Sequence, residues 1–386
     1  MKENKKSVQF YWSEFHVLIV LIVWGFRLKI IFLLPPVNFS GGIRVISIYA
    51  QWLAQHGHEV LLLSPPPKPV PFRRALKSWM RGRGWPQKMR VVPSHIDGKG
   101  LNHLVLDCHR PPNINDIPRA DVIVATWWET AEWLNSFPDN WGSKTYFIQG
   151  YEVFDYLPRN RCEATYRFPF KKIVVAQWLA DLMREKYGDP NVEVVVNGVD
   201  HELFYSPIRE KQCRPTMGVL YHEAHLKGFD VALSTISRLK ARIPDLGVIA
   251  FGSRAPSGVY DIPDYFDLHI APAQERLREL YSSCDVWLTT SRSEGFNLMA
   301  VEAMACRTPV VSSRTGWPYG AVVDGKNGYL FDIDDVLAAE DALYKILNLP
   351  NQSWKTMSDS AFSTASEISW ESSCLKFESA LKKAVA

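Results

Sequence analysis

Residues 291–311 read SRSEGFNLMAVEAMACRTPVV and continue the apolar run DVWLTT at 285–290. A short, nearly unbroken hydrophobic run suits a strand buried on both faces. RSEGF then reads as a loop and NLMAVEAMAC as a helix. Pro309 ensures that the helix has stopped before the next apolar strand, TPVVSS. Two carboxylates lie eight positions apart, Glu294 in the loop at the strand's C-terminal edge and Glu302 in the helix's second turn. In open α/β sheets ligands bind beyond the carboxyl ends of strands. The amides of Gly295, Phe296 and Asn297 would open the helix and offer donors to an anion. An ionised carboxylate beside them only accepts, which suits hydroxyl groups. Acids at a helix start are also favoured by the helix dipole alone, so the pair by itself leaves both readings open.

The same rhythm extends outward. LKIIFLL (28–34), HEVLLLS (58–64), ADVIVAT (120–126), KTYFIQ (144–149), KIVVA (172–176) and VEVVV (192–196) read as buried parallel strands. Helical stretches such as IRVISIYAQWLAQHG and AQWLADLMREKYG separate them, each closed by a glycine placed as a C-cap. The rhythm breaks at NGVDHELFYSPIREKQCRP (197–215) and restarts with MGVLYH, LGVIAFG, FDLHIAP, DVWLTTS, TPVVSS and GYLFD. The expectation is two doubly wound α/β domains, spanning 27–198 and 199–368, with an extension at 1–26 and a terminal helix at 369–386.

A chain of 386 residues is longer than one core usually grows. With 47% hydrophobic and 22% charged residues it is neither disordered nor fibrous, and a net charge of +3 is too small to argue for nucleic acid as a partner. The six cysteines stand singly without zinc spacing, which fits a reducing cytoplasm. The apolar run at 17–26 is shorter than the roughly 20 residues of a membrane span. Arg27 and Lys29 would break any continuation of it, so 1–26 reads as an extension. Whether that extension is disordered, lies on a membrane or reflects a start codon placed too early stays open.

The E-x7-E pattern of Glu294 and Glu302, set in EGF, EAMAC and the following Pro-Val-Val strand, resembles the signature of retaining glycosyltransferase family 4, the glycosyl transferases group 1. FSGGIRVISIYAQWLAQHGHEVLLLS, VVVNGVDHELF, LKGFD, VVDGKNGYLFD and ISWESSCLKFESAL match in order, covering about 28–383. The resemblance implies a GT-B fold, two Rossmann-like domains facing a central cleft, with the last helix crossing back to the first domain. It implies a nucleotide-diphosphate sugar as donor, no metal and no other cofactor. Glu302 would accept from the donor ribose, Glu294 from the transferred sugar, and the amides of Gly295, Phe296 and Asn297 would meet sugar and phosphate. Lys227 would neutralise the leaving diphosphate, and Gly41 and Gly42 would let phosphate approach the backbone. Glu294 and Lys227 are the catalytic candidates.

The sequence departs from the family twice. His222 stands where an arginine often precedes the lysine, so its charge, and donor affinity with it, is expected to fall above neutrality. Thr126 stands where many members carry histidine. Trp127, Trp128, Tyr151 and Glu152 follow strand ends and are acceptor or sugar candidates, with burial in the core as the alternative.

Between Ser64 and Ile96 no residue is acidic, whereas Lys68, Arg73, Arg74, Lys77, Arg81, Arg83, Lys88 and Arg90 are basic. As a helix, residues 71–85 would put Phe72, Leu76, Trp79 and Met80 on one face and Arg73, Arg74, Lys77 and Arg81 on the other. That pattern suits an anionic membrane surface, or a helix packed on the first domain. The expected activity is transfer of a hexosyl or deoxyhexosyl group to a glycan or lipid-linked glycan in cell-surface polysaccharide synthesis, in the cytoplasm or at the membrane's inner face. A non-catalytic member binding a sugar nucleotide or a partner enzyme, and a sugar-nucleotide epimerase, are the alternatives.

Overall fold

The computed structural model describes residues 27–82, 84 and 92–385. The extension 1–26, and Arg83, Lys88 and Arg90 of the basic segment, lie outside the described residues. The strands are β1 (Lys29–Leu33), β2 (Glu59–Ser64), β3 (Asn102–Val105), β4 (Val122–Ala125), β5 (Ser143–Ile148), β6 (Lys171–Val174), β7 (Val192–Val194), β8 (Thr216–Leu220), β9 (Gly247–Gly252), β10 (Phe266–Ile270), β11 (Val286–Thr289), β12 (Val310–Ser313) and β13 (Gly328–Phe331). They form a seven-stranded sheet of order β3-β2-β1-β4-β5-β6-β7 and a six-stranded sheet of order β10-β9-β8-β11-β12-β13. Pairings within each sheet, among them β1 with β2 and β4, and β8 with β9 and β11, are parallel. The apolar runs read from the sequence correspond in order to these strands. β3 has no such run, because its pairing with β2 places it at the sheet edge with alternate residues exposed.

Packing divides the chain into two units, one reaching Thr145 and taking up the chain again from Glu378, the other Tyr146–Phe377. Residues 146–198 therefore group with the C-terminal sheet rather than with the segment before them. Backbone-to-backbone packing at glycines accounts for this. A Cβ on Gly198 would stand 2.2 Å from the Trp370 nitrogen, and one on Gly295 would stand 1.7 Å from the Gln149 carbonyl oxygen.

The six-stranded sheet buries Met217, Val219, Val248, Ala250, Val286, Leu288 and Val311 against Phe229, Ile236, Leu239, Leu343 and Ile346 of its helices. Trp287, fully buried on β11, sits in register opposite Gly218 on β8. A Cβ on Gly218 would lie 2.3 Å from its ring, so glycine there makes room for the indole. Helix Phe72–Met80 forms as expected, but Ala75 is its one buried residue, while Phe72, Trp79 and Met80 are 69%, 60% and 73% exposed. Its apolar residues face solvent instead of packing on a core. Among the described residues no helix is long and apolar enough to cross a membrane.

The last helix, Trp370–Val385, begins in the second unit and ends in the first. The Leu28 amide donates to His58 Nδ1 at 3.0 Å, so Nε2 carries the proton and donates to Glu378 Oε1 at 2.9 Å. Lys382 donates to the same oxygen at 2.6 Å, and Ser143 Oγ donates to the Ala384 carbonyl. Burial pushes the Glu378 carboxyl up, but the bonds from Lys382 and His58 outweigh it and hold it below the usual carboxylate range. A depressed carboxyl adds stability above its unfolded pKa and loses it as pH falls through the folded one. Glu378→Ala should therefore cost roughly 1–3 kcal/mol in urea unfolding at pH 7. The difference should shrink below about pH 4; an unchanged midpoint at pH 7 would contradict this anchoring.

Candidate functional site

In the six-stranded sheet the strand order reverses between β8 and β11, and ligands in open α/β sheets bind at such a reversal. The loop after β8 carries His222 and Lys227, and the loop after β11 carries Ser291 to Asn297. Lys227 Nζ donates to Glu294 Oε1 at 2.6 Å, and Ser291 Oγ donates to the same oxygen at 2.7 Å. The two catalytic candidates thus meet directly, and both are shielded, with side chains 27% and 9% exposed.

Their meeting depends on how the two loops are joined. Gly228 has φ +63°, and a Cβ there would lie 2.0 Å from the Thr290 carbonyl oxygen. Thr290 Oγ1 donates to the Gly228 carbonyl at 2.8 Å, and the Arg292 amide donates to the Leu226 carbonyl at 2.8 Å. The Arg292 guanidinium grips both oxygens of Asp230 at 2.9 and 2.6 Å, reaches the His225 carbonyl at 2.7 Å and pairs with Asp334. Sequence reasoning missed Ser291 and Arg292. Both flank the motif, and a serine and an arginine next to an acid loop were the available signal.

Gly295 and Phe296 are held by Trp178 and Trp317. Trp178 Nε1 donates to the Gly295 carbonyl at 3.0 Å, the Trp317 amide donates to the Phe296 carbonyl at 2.7 Å, and the buried Phe296 ring lies 5.9 Å from that of Trp317. Asn297 starts helix Leu298–Ala305 with φ +78°, a left-handed conformation that asparagine tolerates better than most residues. Its side chain is buried, and neither Oδ1 nor Nδ2 has a hydrogen-bond partner among the described residues. Glu302, one turn on, is buried and accepts from Tyr281 OH at 3.0 Å; the Tyr281 ring in turn meets Trp287 at 4.7 Å. The two acids therefore occupy different surroundings, Glu294 beside an ammonium and Glu302 beside a phenol.

His222 is half-buried. The Ala224 amide donates to its Nδ1 at 3.0 Å, which leaves Nε2 as the protonated donor of a neutral ring. Burial, followed by the nearby Lys227 charge, pushes the ring below its ordinary 6.5, with Glu294 acting the other way. Burial and the Lys227 charge thus favour the neutral ring, with its N–H at Nε2.

The remaining candidates are carried by other elements. In the seven-stranded sheet the order reverses between β1 and β4, and Gly41, Gly42 and Thr126 to Trp128 follow those two strands. Gly41 and Gly42 form the first turn of helix Gly41–Gln55 and not a separate loop; nothing would crowd a Cβ on Gly41. Thr126 is buried and donates to the Leu33 carbonyl at 2.8 Å. Trp128 is 4% exposed, so its ring belongs to the core and offers no face to a sugar, whereas Trp127 is half-buried. In the second unit Tyr151 OH is taken up by Glu163, Tyr187 and Lys186, and Glu152 is buried with its amide donating to Tyr166 OH at 2.8 Å. A cavity of about 350 Å³ lies at the N-terminal ends of β6 and β7, lined in part by Arg167, Lys172 and Asp189, away from the strand ends that carry the site. Lys172 there is already bonded to Asp189 and the Phe168 carbonyl.

The protein's two Rossmann-like parallel sheets are those of the GT-B class. The structure superposes on sucrose-phosphate synthase of Thermosynechococcus elongatus with TM-score 0.71 and 18% identity, covering 92% of this chain and 99% of that one. It matches Anabaena HepE in complex with UDP-glucose with TM-score 0.69 and 14% identity, over 92% and 100% of the two chains. Residues 210–361 match the family model of the glycosyl transferases group 1. The chain is 30% identical over 224 residues to D-inositol 3-phosphate glycosyltransferase of Corynebacterium diphtheriae, which is 52% of each chain. It is 32% identical over 211 residues to the Mycobacterium marinum protein of that name, which is 48% of this chain and 43% of the other. The chain spans about half the length of the curated relatives it matches.

The charges around His222 can be checked without substrate. Titrated by NMR in the ligand-free protein, His222 should show a pKa below 6.5. Lys227→Ala should raise it and Glu294→Ala should lower it further. A midpoint at or above the ordinary histidine value would refute the neutral assignment.

Proposed function

We propose that the protein is a retaining, metal-independent glycosyltransferase that moves a hexosyl or deoxyhexosyl group from a nucleotide-diphosphate sugar to a glycan or lipid-linked glycan acceptor. The observation that carries this reading is the meeting of Lys227 and Glu294 at the strand-order reversal of the second sheet, 2.6 Å apart. Binding of the donor would exchange partners. The ammonium of Lys227 turns to the diphosphate, whose negative charge grows as the sugar leaves, and the Glu294 carboxylate, still oriented by Ser291, accepts from the sugar hydroxyls. His222 Nε2 and the amides of the Gly295 to Asn297 turn add neutral donors. Buried Glu302, its second oxygen held by Tyr281, takes the ribose hydroxyls. Catalysis by positioning and charge stabilisation needs no nucleophilic side chain.

The UDP-glucose of the HepE complex suggests a uridine donor, and the relatives' names point to phosphorylated polyols as acceptors to test beside lipid-linked glycans. Release of nucleoside diphosphate, followed against a panel of UDP-, GDP- and dTDP-sugars with and without EDTA, tests the reading. Lys227→Ala and Glu294→Gln should each lower turnover by about 10²–10³-fold with the fold intact. Near-normal turnover by Lys227→Ala would remove the leaving-group role, and a wild type that binds donor without releasing diphosphate would make the protein a binding member of its family.

The helix Phe72–Met80 supports a second part of the proposal, association with an anionic membrane at the cytoplasmic face. Phe72, Trp79 and Met80 are exposed beside Arg73, Arg74, Lys77 and Arg81. Each basic side chain near an anionic surface adds about 1 kcal/mol, and the exposed rings add insertion. In flotation with phosphatidylglycerol vesicles at low salt the protein should rise with the lipid, and Trp79→Ser with Met80→Ser should stay behind. Wild type that does not float at low salt would end this part of the proposal.

A further inference from the structure

The loop after β9 brings a second cation to the same strand ends. β9 and β8 pair in parallel with Phe251 opposite Leu220, and the Tyr221 amide donates to the Phe251 carbonyl at 2.7 Å. Gly252 presses on Tyr221 so closely that a Cβ would stand 2.6 Å from the Tyr221 carbonyl oxygen. The chain therefore leaves β9 directly beside His222. Three residues past Arg254, the Ser257 amide and hydroxyl both donate to the Glu223 carboxylate at 2.7 Å, while Tyr221 OH donates to it at 2.6 Å. Glu223 thus ties the 253–257 loop back onto the loop that carries His222 and Lys227, with Arg254 between the two attachment points.

Charge makes the placement informative. Lys227 is shared with Glu294, and Arg292 is committed to Asp230 and Asp334. Arg254 is exposed and has no ion pair or hydrogen bond among the described residues, and its charge is felt at the His222 ring together with that of Lys227. Around the His222 ring Lys227 and Arg254 are matched in charge by Glu294 and Glu223, but Glu223 accepts from Tyr221 and Ser257 and Lys227 is taken by Glu294, which leaves the Arg254 guanidinium tied to neither carboxylate. A planar fork of donors of this kind suits phosphate oxygens.

We infer that Arg254 is a donor-binding residue whose guanidinium contacts the outer phosphate of the nucleotide sugar's diphosphate. This rests on the nucleotide-sugar reading above. Because the contact is with the outer phosphate, it discriminates nucleoside diphosphate from monophosphate.

Isothermal titration of the full chain with UDP, GDP and dTDP, and with their monophosphates, tests it. For whichever diphosphate the wild type binds, Arg254→Gln should weaken binding about tenfold, with the monophosphate affected less than about threefold. Arg254→Lys, which keeps the charge but not the fork, should recover only part of the loss, and the melting temperature should not change. Diphosphate affinity within about twofold of wild type in Arg254→Gln would overturn the inference. Equal loss of diphosphate and monophosphate, or a lowered melting temperature, would overturn it too by assigning Arg254 a structural part. A wild type that binds none of the three diphosphates would instead refute the nucleotide-sugar reading, and the inference with it.

Discussion

The site depends on the bidentate pair between Arg292 and Asp230. The loops after β8 and β11 leave adjacent strands, but past the ends of the strands the ladder no longer holds them together. Arg292 takes over at that point, with its amide on Leu226 and its guanidinium on His225, Asp230 and Asp334. Only with the loops so joined does the Lys227 ammonium lie against the Glu294 carboxylate. A planar fork can hold a carboxylate and a carbonyl at once, which a lysine in that position could not. The Lys227–Glu294 pair is thus positioned by a residue that is not itself part of it.

The two glutamates show how one motif produces two kinds of acid. Glu294 lies in a loop buttressed by Trp178 and Trp317, and its environment is ionic. Glu302 lies within a helix whose neighbours are aromatic, and the Trp287 ring that supports Tyr281 exists only because Gly218 leaves space for it. Asn297 stands between them with a buried side-chain amide that has no partner among the described residues. An unmet donor and acceptor in the interior are costly in the ligand-free protein, roughly 1–3 kcal/mol for each group, and a bound ligand or water is the ordinary way to recover that cost.

The second sheet was legible because a strand buried on both faces leaves an unbroken apolar run, and because the spacing of Glu294 and Glu302 survives as a pattern of letters. The expected strands from MGVLYH to GYLFD all appear in order. What could not be read depends on partners remote in sequence. β3 has no run because only one neighbour covers it. The grouping of 146–198 with the C-terminal part follows from glycine backbones meeting at distances no letter encodes. Trp128 and Trp127 are the same residue type side by side, yet one is core and the other half-exposed. His222 was read as a variable charge, and the burial and the Lys227 charge that favour its neutral form come from contacts the local sequence does not display.

The bond between His58 and Glu378 joins positions 320 apart. During synthesis the N-terminal sheet emerges first, but Glu378, which satisfies His58, is made 320 residues after it, and Ala384, which accepts from Ser143, 241 residues after that serine. Until then the first unit must wait with a buried histidine lacking its acceptor and apolar surface lacking its cover, a state in which nascent chains are prone to misassociate. The order of translation therefore runs against the order of packing, and the second unit has the opportunity to fold before the first is complete.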